Sequence, residues 1–229
     1  MSVCVIIPAL NEEETIADVV GKVPHEIARE IIVVDNGSDD RTGECAREAG
    51  ARVIVEPRRG YGRACAAGVR ALGSSCEIVV FLDGDGSDCP ELMDRLVQPI
   101  VDGRYDFVIG SRTRGEREPG SLNLQQVFAG RIAGLLIWSL YSVRYTDMCP
   151  FRAIRHDLLT GLGMREETYG WNLEMQMRAA RAGLRVLEVP MSHRRRAGGK
   201  SKVSGTLRGT LLAGTRILAT FARVALEHR

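Results

Sequence analysis

The sequence lacks an apolar segment long enough to cross a membrane. Its longest nearly uncharged stretch, Ile132 to Val143, has twelve residues, whereas a membrane-spanning helix needs about 20. The first residues also lack the basic segment and apolar core of a secretion signal. We therefore expect a cytoplasmic chain that is soluble or peripheral at the inner face of a membrane.

The sequence also lacks the glycine motifs of several large enzyme classes. No G-x-G-x-x-G follows the first predicted strand, no G-x-x-x-x-G-K-[ST] phosphate loop is present, and no G-x-S-x-G motif occurs. These absences argue against a dinucleotide-dependent dehydrogenase, a phosphate-loop NTPase and a serine hydrolase of the nucleophile-elbow type.

Basic and acidic residues nearly balance, but they are unevenly distributed. The formal net charge of +2 gives no global argument for a nucleic-acid partner. Residues 194–229 hold nine basic residues and one acid, a net charge of +8, so the rest of the chain has a net charge of −6. A basic tail on an acidic body indicates an anionic partner for the tail. The six cysteines form no C-x-x-C pair, which favours buried thiols in a reducing compartment.

Apolar strands alternate with helical patterns along the first half of the chain. Strands are predicted over 3–8, 30–34, 52–55, 77–82 and 106–110. Asn11 is expected to cap the first helix, and further helices are predicted over 91–101, 122–143 and about 205–226. Strands that are apolar throughout indicate an α/β fold with a mostly parallel sheet between layers of helices. In such sheets ligands bind beyond the carboxyl ends of the strands.

Two carboxylates follow the strand predicted over 77–82. Asp83 and Asp85 flank Gly84, and two carboxylates on a turn that glycine makes adaptable can converge on one hard cation. Mg²⁺ and Mn²⁺ prefer oxygen ligands and often share them with substrate phosphates. A solvated β-turn is the other interpretation, since aspartate and glycine both favour turns. The position at the end of a strand strengthens the metal interpretation.

Two other polar segments have two interpretations each. Asp35 and Asp40 follow another strand and indicate either an Asx turn with a helix cap or hydrogen bonds to a base or ribose. The basic, glycine-containing segment 193–203 is either a solvated loop or one whose arginine forks bind phosphate oxygens. It lacks the interleaved aromatics that nucleic-acid binding favours. A metal that faces a basic loop is the arrangement a nucleotide diphosphate requires.

In combination these motifs resemble the family 2 glycosyltransferases of the GT-A fold, and most of all the branch of dolichyl- or polyprenyl-phosphate mannose and glucose synthases. The matching segments follow the family's order and cover most of the chain. They are 6–14 (IIPALNEEE), 33–42 (VVDNGSDDRT), 60–68, 81–93 (FLDGDGSDCPELM), 108–112 (VIGSR), 150–154 (PFRAI), 171–183 (WNLEMQMRAARAG) and 188–202 (EVPMSHRRRAGGKSK).

The resemblance implies a role for each matching residue. Asp85 and Ser87 are expected to hold Mg²⁺ or Mn²⁺, and Asp83 to contact the nucleotide or the sugar. Glu174 is expected on the acceptor side, which completes the catalytic set Asp83, Asp85 and Glu174. The residues expected to bind the donor are Pro8, Leu10, Glu12, Val34, Asp35, Asp40, Asp83, Gly84, Arg112, Arg196 and Lys202.

The sequence departs from the family pattern at two points. Asn36 stands where the family usually has a second aspartate, which bears on the ribose contacts. The metal segment reads Asp-Gly-Asp-Gly-Ser instead of the Asp-Ala-Asp-Leu-Gln type of the mannose synthases. Both the sugar and the acceptor therefore stay open.

The resemblance implies inverting transfer of a hexose from a GDP-mannose or UDP-glucose type of donor, and we predict a polyprenyl phosphate acceptor. A phosphate acceptor needs no general base, whereas a hydroxyl acceptor requires one, for which Glu174 and Asp147 are the candidates. The alternatives are a nucleotidyltransferase, a sugar-nucleotide-binding module of the same fold, or a transferase with a soluble hydroxyl acceptor. We expect no nucleic-acid partner.

The last predicted helix has both a basic and an apolar surface. Arg208, Arg216 and Arg223 recur at spacings of eight and seven residues, which keeps them near one face. Such a helix either packs on the domain or lies in a membrane interface. We predict a GT-A domain over 1–203 and a helical extension over 204–229.

Overall fold

The structure is a computed structural model that describes residues 1–198 and 207–227, without the side chains of 207–214 and 216. Within these residues one sheet contains the strands β1 (Val3–Ala9), β2 (Ala28–Asp35), β3 (Arg52–Val55), β4 (Ile78–Phe81), β5 (Phe107–Ser111), β6 (Arg152–Arg155) and β7 (Val186–Pro190). The helices are α1 (Ile16–Gly21), α2 (Thr42–Glu48), α3 (Tyr61–Arg70), α4 (Asp94–Val101), α5 (Leu124–Tyr141), α6 (His156–Gly161), α7 (Trp171–Arg181) and α8 (Leu207–Leu226).

The strand order is β3-β2-β1-β4-β6-β5-β7, and only β6 runs antiparallel to its neighbours among these strands. Every residue of β1 and β4 is buried, as the unbroken apolar runs predicted. The mostly parallel α/β sheet expected from the sequence is therefore confirmed. All parallel strands end at one edge, which we call the carboxyl edge.

The antiparallel strand brings a different kind of residue to the carboxyl edge. Because β6 runs the other way, the residues that precede it lie beside those that follow β4 and β5. The backbone N–H of Gly110, near the end of β5, donates to the Phe151 carbonyl just before β6, at 3.0 Å. The segment from Asp147 to Phe151 therefore contributes to the same edge as the loops after β4 and β5.

The predicted cap at Asn11 is wrong. The first helix begins at Ile16, and Asn11 has a positive φ of 52°. Its side-chain oxygen accepts a hydrogen bond from the Asp39 backbone N–H at 2.8 Å, so Asn11 joins two loops instead of starting a helix. As a result Glu12 lies in the loop after β1, at the carboxyl edge.

Other helix boundaries differ from prediction for local reasons. Pro90–Leu92 forms a 3₁₀ turn before α4, where one continuous helix from residue 91 was predicted, and α6 was not predicted. The long helix α5 begins at Leu124 because Asn123 and Gln126 form a reciprocal capping box. A Cβ at Gly134 would overlap the Tyr145 carbonyl oxygen, so the small-residue face of α5 packs closely on the segment before β6.

The C-terminal helix α8 packs against α7. Val224 is fully buried, and the Arg178 guanidinium of α7 lies 2.9 Å from a Glu227 carboxylate oxygen. The side chains of Arg208 and Arg216, two of the three arginines in the amphipathic prediction, are not among those that the structure describes. Within the described part of the chain, no helix combines the length and the apolar character needed to cross a bilayer.

Asn36, one of the two departures from the family pattern, is a buried structural residue. Its side-chain N–H groups donate to the carbonyls of Glu56 at 3.0 Å and Arg58 at 2.9 Å, and its side-chain oxygen accepts from the Gly60 N–H at 2.7 Å. The amide therefore ties the end of β2 to the segment that leads into α3. An ionised aspartate has no N–H to donate and would face two carbonyl oxygens.

We expect Asn36→Asp to lower the free energy of unfolding by about 2–4 kcal/mol, since it removes two donors from buried carbonyls. The midpoint of urea unfolding measures this change. Asp39→Asn is the control, because the Asp39 side chain is 76% exposed and its ion pair with Arg59 is at the surface. That control should change stability by less than about 0.5 kcal/mol. Equal stability of Asn36→Asp and the wild type would contradict the structural role.

Candidate active site

Three loops meet at the carboxyl edge and are joined through their main chains. They are 83–88 after β4, 112–118 after β5 and 193–198 after β7. The Arg194 N–H donates to the Ser87 carbonyl at 2.8 Å, and the Ala197 N–H donates to the Asp85 carbonyl at 3.1 Å. The His193 N–H donates to the Glu116 carbonyl at 3.0 Å. The basic loop is therefore held between the two others and faces the acidic turn.

Arg196 links two of the predicted acidic site residues. One of its terminal nitrogens lies 2.9 Å from Oδ2 of Asp85, and the other lies 2.8 Å from Oε1 of Glu12. The second oxygen of Asp85, Oδ1, accepts from the Ser87 N–H at 2.9 Å and from the Ser87 hydroxyl at 2.5 Å. The sequence-predicted residues Glu12, Asp85, Ser87 and Arg196 are thus brought into one cluster.

Asp83 begins the same turn and is half-buried. Its Oδ1 accepts the Tyr61 hydroxyl at 3.0 Å, and the adjoining Gly84 carbonyl accepts the Thr15 hydroxyl at 2.8 Å. Burial, reinforced by the charges of Asp88 and Asp85, raises the pKa of Asp83 well above its usual range. Tyr61, which sequence reasoning missed, therefore donates a hydrogen bond to a carboxyl group whose pKa is raised.

Asp88 and His193 are further site residues that sequence reasoning missed. Oδ2 of Asp88 accepts the Asp83 N–H at 3.0 Å, and Oδ1 lies 3.8 Å from Nδ1 of His193. Burial, with a contribution from the Asp85 charge, raises the pKa of Asp88 to about 7. Burial, with the nearby positive charge of Arg112, lowers the pKa of His193 to about 4. Nδ1 of His193 is buried and has no hydrogen-bond partner among the described residues.

Arg112 and Asp147 form a buried ion pair beside the acidic turn. The Arg112 guanidinium donates to both carboxylate oxygens of Asp147, each at 2.8 Å, and the Arg112 backbone N–H donates to Oδ2 at 2.9 Å. Burial alone would raise the pKa of Asp147, but its hydrogen bonds and charge interaction with Arg112 outweigh burial and lower it. The positive charge of Arg112 also opposes the raised pKa values of Asp83 and Asp88.

The residues predicted to bind the nucleoside lie on the adjoining strands. Pro8 pairs with Val34 in the sheet register, and Leu10 and Asp35 lie at or just beyond the ends of β1 and β2. Asp40 accepts hydrogen bonds from the backbone N–H groups of Thr42 at 3.0 Å and Glu13 at 3.3 Å, so its carboxylate caps the start of α2. Their contacts with a nucleotide stay predictions.

Glu174 is not part of the acidic turn. Its fully buried carboxylate accepts from the N–H groups of Arg165 and Glu166 at 2.9 and 2.6 Å. It also pairs with the guanidinium groups of Arg178 and Arg223, both at 2.9 Å. Lys202, the other predicted donor-binding cation of the basic loop, lies outside the described residues.

The donor set suits a cation that is shared with a ligand. Within residues 1–198 and 207–227, no three His, Cys, Asp or Glu side chains are grouped to hold a metal ion. Asp85 nevertheless offers carboxylate oxygens beside the Ser87 hydroxyl. The buried Nδ1 of His193 lies 3.8 Å from Oδ1 of Asp88, which belongs to the same turn. Mg²⁺ usually takes one or two protein carboxylates and completes its coordination with phosphate oxygens and water. These residues therefore fit Mg²⁺ or Mn²⁺ held jointly with a diphosphate.

Comparisons with known proteins agree with this geometry. The family described as glycosyl transferase family 2 matches residues 4–168. An uncharacterised glycosyltransferase of Mycobacterium tuberculosis is 39% identical over 220 residues, which cover 93% of this chain and 94% of that protein. A dolichyl-phosphate hexose transferase of Haloferax volcanii is 34% identical over 229 residues, covering 98% and 94%.

A solved structure shares the whole architecture. The crystal structure of glucosyl-3-phosphoglycerate synthase from Mycobacterium tuberculosis, in complex with Mn²⁺, uridine diphosphate and glucosyl-3-phosphoglycerate, superposes with a TM-score of 0.76 at 25% identity. The superposition covers 98% of this chain and 80% of that one. Both the GT-A fold and the family expected from the motifs are confirmed: the chain belongs to glycosyl transferase family 2.

Proposed function

We propose that the protein is an inverting, metal-dependent hexosyltransferase that moves a hexose from a nucleotide diphosphate sugar to a polyprenyl phosphate. The observation that carries this proposal is the bridge from Arg196 to Asp85 and Glu12 at the carboxyl edge. A diphosphate with its metal would meet both a carboxylate and a guanidinium there. The donor is of the UDP-glucose or GDP-mannose type.

The nucleoside end of the donor would lie over the ends of β1 and β2. Pro8, Leu10 and Val34 offer an apolar surface for the base, and Asp35 and Asp40 offer acceptors for ribose hydroxyls. The crystal structure of glucosyl-3-phosphoglycerate synthase contains uridine diphosphate and Mn²⁺, which supports a nucleotide and a divalent metal here. Asp85, with Ser87, would hold the metal, which when bound would neutralise charge on the leaving diphosphate.

The chain's own residues would bind and orient both substrates. Arg196, released from Asp85, would bind phosphate oxygens of the donor, and Lys202 would add a second cation to the same group. Arg112 would remain on Asp147 and contribute a fixed positive charge beside the transfer site. The acceptor oxygen would attack the anomeric carbon from the face opposite the diphosphate, which inverts the configuration.

The state of the two candidate bases favours a phosphate acceptor. The pKa of Asp147 is lowered by Arg112, which makes it a poor base, and the Glu174 carboxylate is occupied by two guanidinium groups. A phosphate oxygen is already ionised near neutral pH and attacks without a base. The dolichyl-phosphate hexose transferase of Haloferax volcanii supports an acceptor of this class.

An exposed apolar helix face supports a lipid-linked acceptor. Five large apolar side chains on one face of α5 are exposed: Leu124, Phe128, Ile132, Leu135 and Trp138. Residues 119–146 contain no acid but carry Arg131 and Arg144, and the Arg144 guanidinium lies 5.2 Å from the Trp138 ring centroid. Such a surface suits the interface of an anionic membrane. Since α5 packs on the segment that leads to Asp147, the lipid would approach beside the transfer site.

A soluble acceptor is the second candidate. The neighbouring crystal structure holds glucosyl-3-phosphoglycerate, whose acceptor part is a small phosphorylated acid, so the same fold accommodates an acceptor without a lipid. The exposed face of α5 has no role under this alternative. A nucleotidyltransferase would release pyrophosphate, whereas the proposed reaction releases a nucleoside diphosphate.

Asp85→Ala should lower kcat/KM by at least about 100-fold, because it removes the carboxylate that would hold the metal against the diphosphate. Calorimetry should show loss of Mn²⁺-dependent UDP binding, and the Tm should stay within a few degrees of the wild type. Asp18→Asn is the control, since Asp18 forms an exposed pair with Lys22 on α1. Wild-type rates for Asp85→Ala, or for the native enzyme in excess chelator, would contradict the metal assignment.

A thermal-shift screen should identify the donor. We expect either UDP-glucose or GDP-mannose with Mn²⁺ to raise the Tm, since ligands that bind only the folded state stabilise it. The rise should disappear in chelator. Incubation of the stabilising donor with a short polyprenyl phosphate should then release nucleoside diphosphate. Release of pyrophosphate would overturn the proposed reaction in favour of nucleotidyl transfer.

Flotation with anionic phospholipid vesicles tests the role of α5. The wild type should co-float at low salt, and Phe128→Asp with Leu135→Asp should lower the bound fraction by about tenfold or more, since two exposed apolar anchors are lost. Val55→Asp on edge strand β3 is the matched control, because Val55 is also an exposed apolar residue, 60% accessible. Absence of wild-type flotation would contradict membrane association, and flotation of the double variant would contradict α5 as the contact surface.

A further inference from the structure

Residues 165–170, which we call the bridging segment, lie between α8 and the start of α3. On the α8 side, the Thr220 hydroxyl donates to Oε2 of Glu166 at 2.8 Å, and the Arg223 guanidinium lies 3.3 Å from the same oxygen. A Cβ at Gly170 would overlap the Thr220 hydroxyl. The bridging segment and α8 are therefore in direct contact.

The other side of the bridging segment packs on the first turn of α3. The Arg63 N–H donates to the Glu167 carbonyl at 3.0 Å, and the Arg63 guanidinium pairs with the Glu167 carboxylate. Cβ atoms at Gly60 and Gly62 would overlap the carbonyls of Glu167 and Glu166. Backbone therefore lies against backbone, and a shift of the bridging segment must be transmitted to α3.

The buried carboxylate of Glu174 holds the start of the bridging segment in place. It accepts from the N–H groups of Arg165 and Glu166, and Arg223 of α8 binds it at 2.9 Å. Arg223 thus contacts both Glu174 and Glu166. A buried carboxylate with two backbone donors and two guanidinium partners holds a loop in place, and removal of one charged partner is costly.

The first turn of α3 contacts the candidate donor site through Tyr61. Tyr61 lies between Gly60 and Gly62, and its hydroxyl donates to Asp83 at 3.0 Å. The position of Tyr61 therefore depends on the bridging segment, and the position of the Asp83 carboxyl depends in part on Tyr61.

We propose that Thr220 and Arg223 of α8 are positioning residues for the donor site, acting through the bridging segment and Tyr61. The assignment of Asp83 to donor binding rests on the proposed function. The contacts from α8 to Tyr61 do not rest on it. On this view Thr220 and Arg223 set the geometry of a site with which neither has a described contact.

A purely structural role for α8 predicts something different. Arg181 of α7 also holds α8, through the carbonyls of Val224 and Glu227, but none of its described contacts is with the bridging segment. If α8 acted only by stabilising the fold, loss of the Arg181 or the Arg223 guanidinium would have the same effect at α3. If Arg223 positions the bridging segment, only its loss is transmitted to α3.

Hydrogen–deuterium exchange on the full chain without ligand distinguishes the two roles. Arg223→Gln and the isosteric Thr220→Val should increase exchange about tenfold in peptides covering 60–66 and 165–170, because each removes a hydrogen bond to a buried carboxylate. Arg223→Lys should restore part of the protection. Arg181→Gln is the matched control and should leave the 60–66 peptide unchanged. Unchanged exchange at 60–66 in both Thr220→Val and Arg223→Gln would overturn the proposal.

Calorimetry with UDP and Mn²⁺ then tests the effect on the site. Thr220→Val and Arg223→Gln should weaken UDP binding between about twofold and 30-fold, the range expected for residues that act through a network, whereas Arg181→Gln should not. Wild-type affinity in the first two variants, despite faster exchange at 60–66, would overturn the positioning role. Failure of the wild type to bind either UDP or GDP would contradict the proposed function. The exchange experiment, which needs no ligand, would then still test whether α8 positions Tyr61.

Discussion

Arg196 joins the two halves of the acidic edge, and the arrangement of the surrounding loops depends on it. Asp83, Asp85 and Asp88 gather in one turn, where desolvation and the neighbouring carboxylates raise the pKa of Asp83 and Asp88. The Arg196 guanidinium between Asp85 and Glu12 offsets the repulsion between these carboxylates, and the Arg112 guanidinium, itself paired with Asp147, opposes the rise in the pKa of Asp83 and Asp88. The loop 193–198 can face the acidic turn closely because it carries the compensating charge.

The antiparallel strand β6 is the second constraint. If β6 ran parallel to its neighbours, Asp147 would lie at the opposite edge of the sheet and could not reach Arg112. Reversal of this one strand brings a chain segment from the second half of the protein into the site. It also places α5, which packs on that segment, beside Asp147 of the Arg112–Asp147 pair. The exposed apolar surface of α5 and this buried ion pair thereby become neighbours.

The C-terminal helix α8 also accounts for the environment of Glu174. Glu174 lies in a motif shared with the family, and from sequence it is a candidate base on the acceptor side. In the structure its carboxylate binds two backbone N–H groups and two guanidinium groups, which is the environment of a residue that fixes a loop. The acid type at this position is explained by charge compensation inside the protein, whether or not an acceptor lies nearby.

The sequence alone was enough to predict the alternating strands and helices of the first half, the mostly parallel sheet and the carboxylates at the end of β4, because burial on both faces and strand-end turns leave strong local patterns. It could not determine the start of α1, since Asn11 bonds to Asp39 across two loops instead of capping locally. Nor could it find the Asp88–His193 contact, whose members lie 105 residues apart, or the partners of Glu174 on α8. Those depend on strand order, on the reversal of β6 and on the packing of α8, which only the tertiary structure decided, because contacts between distant segments leave no periodic signal in one chain.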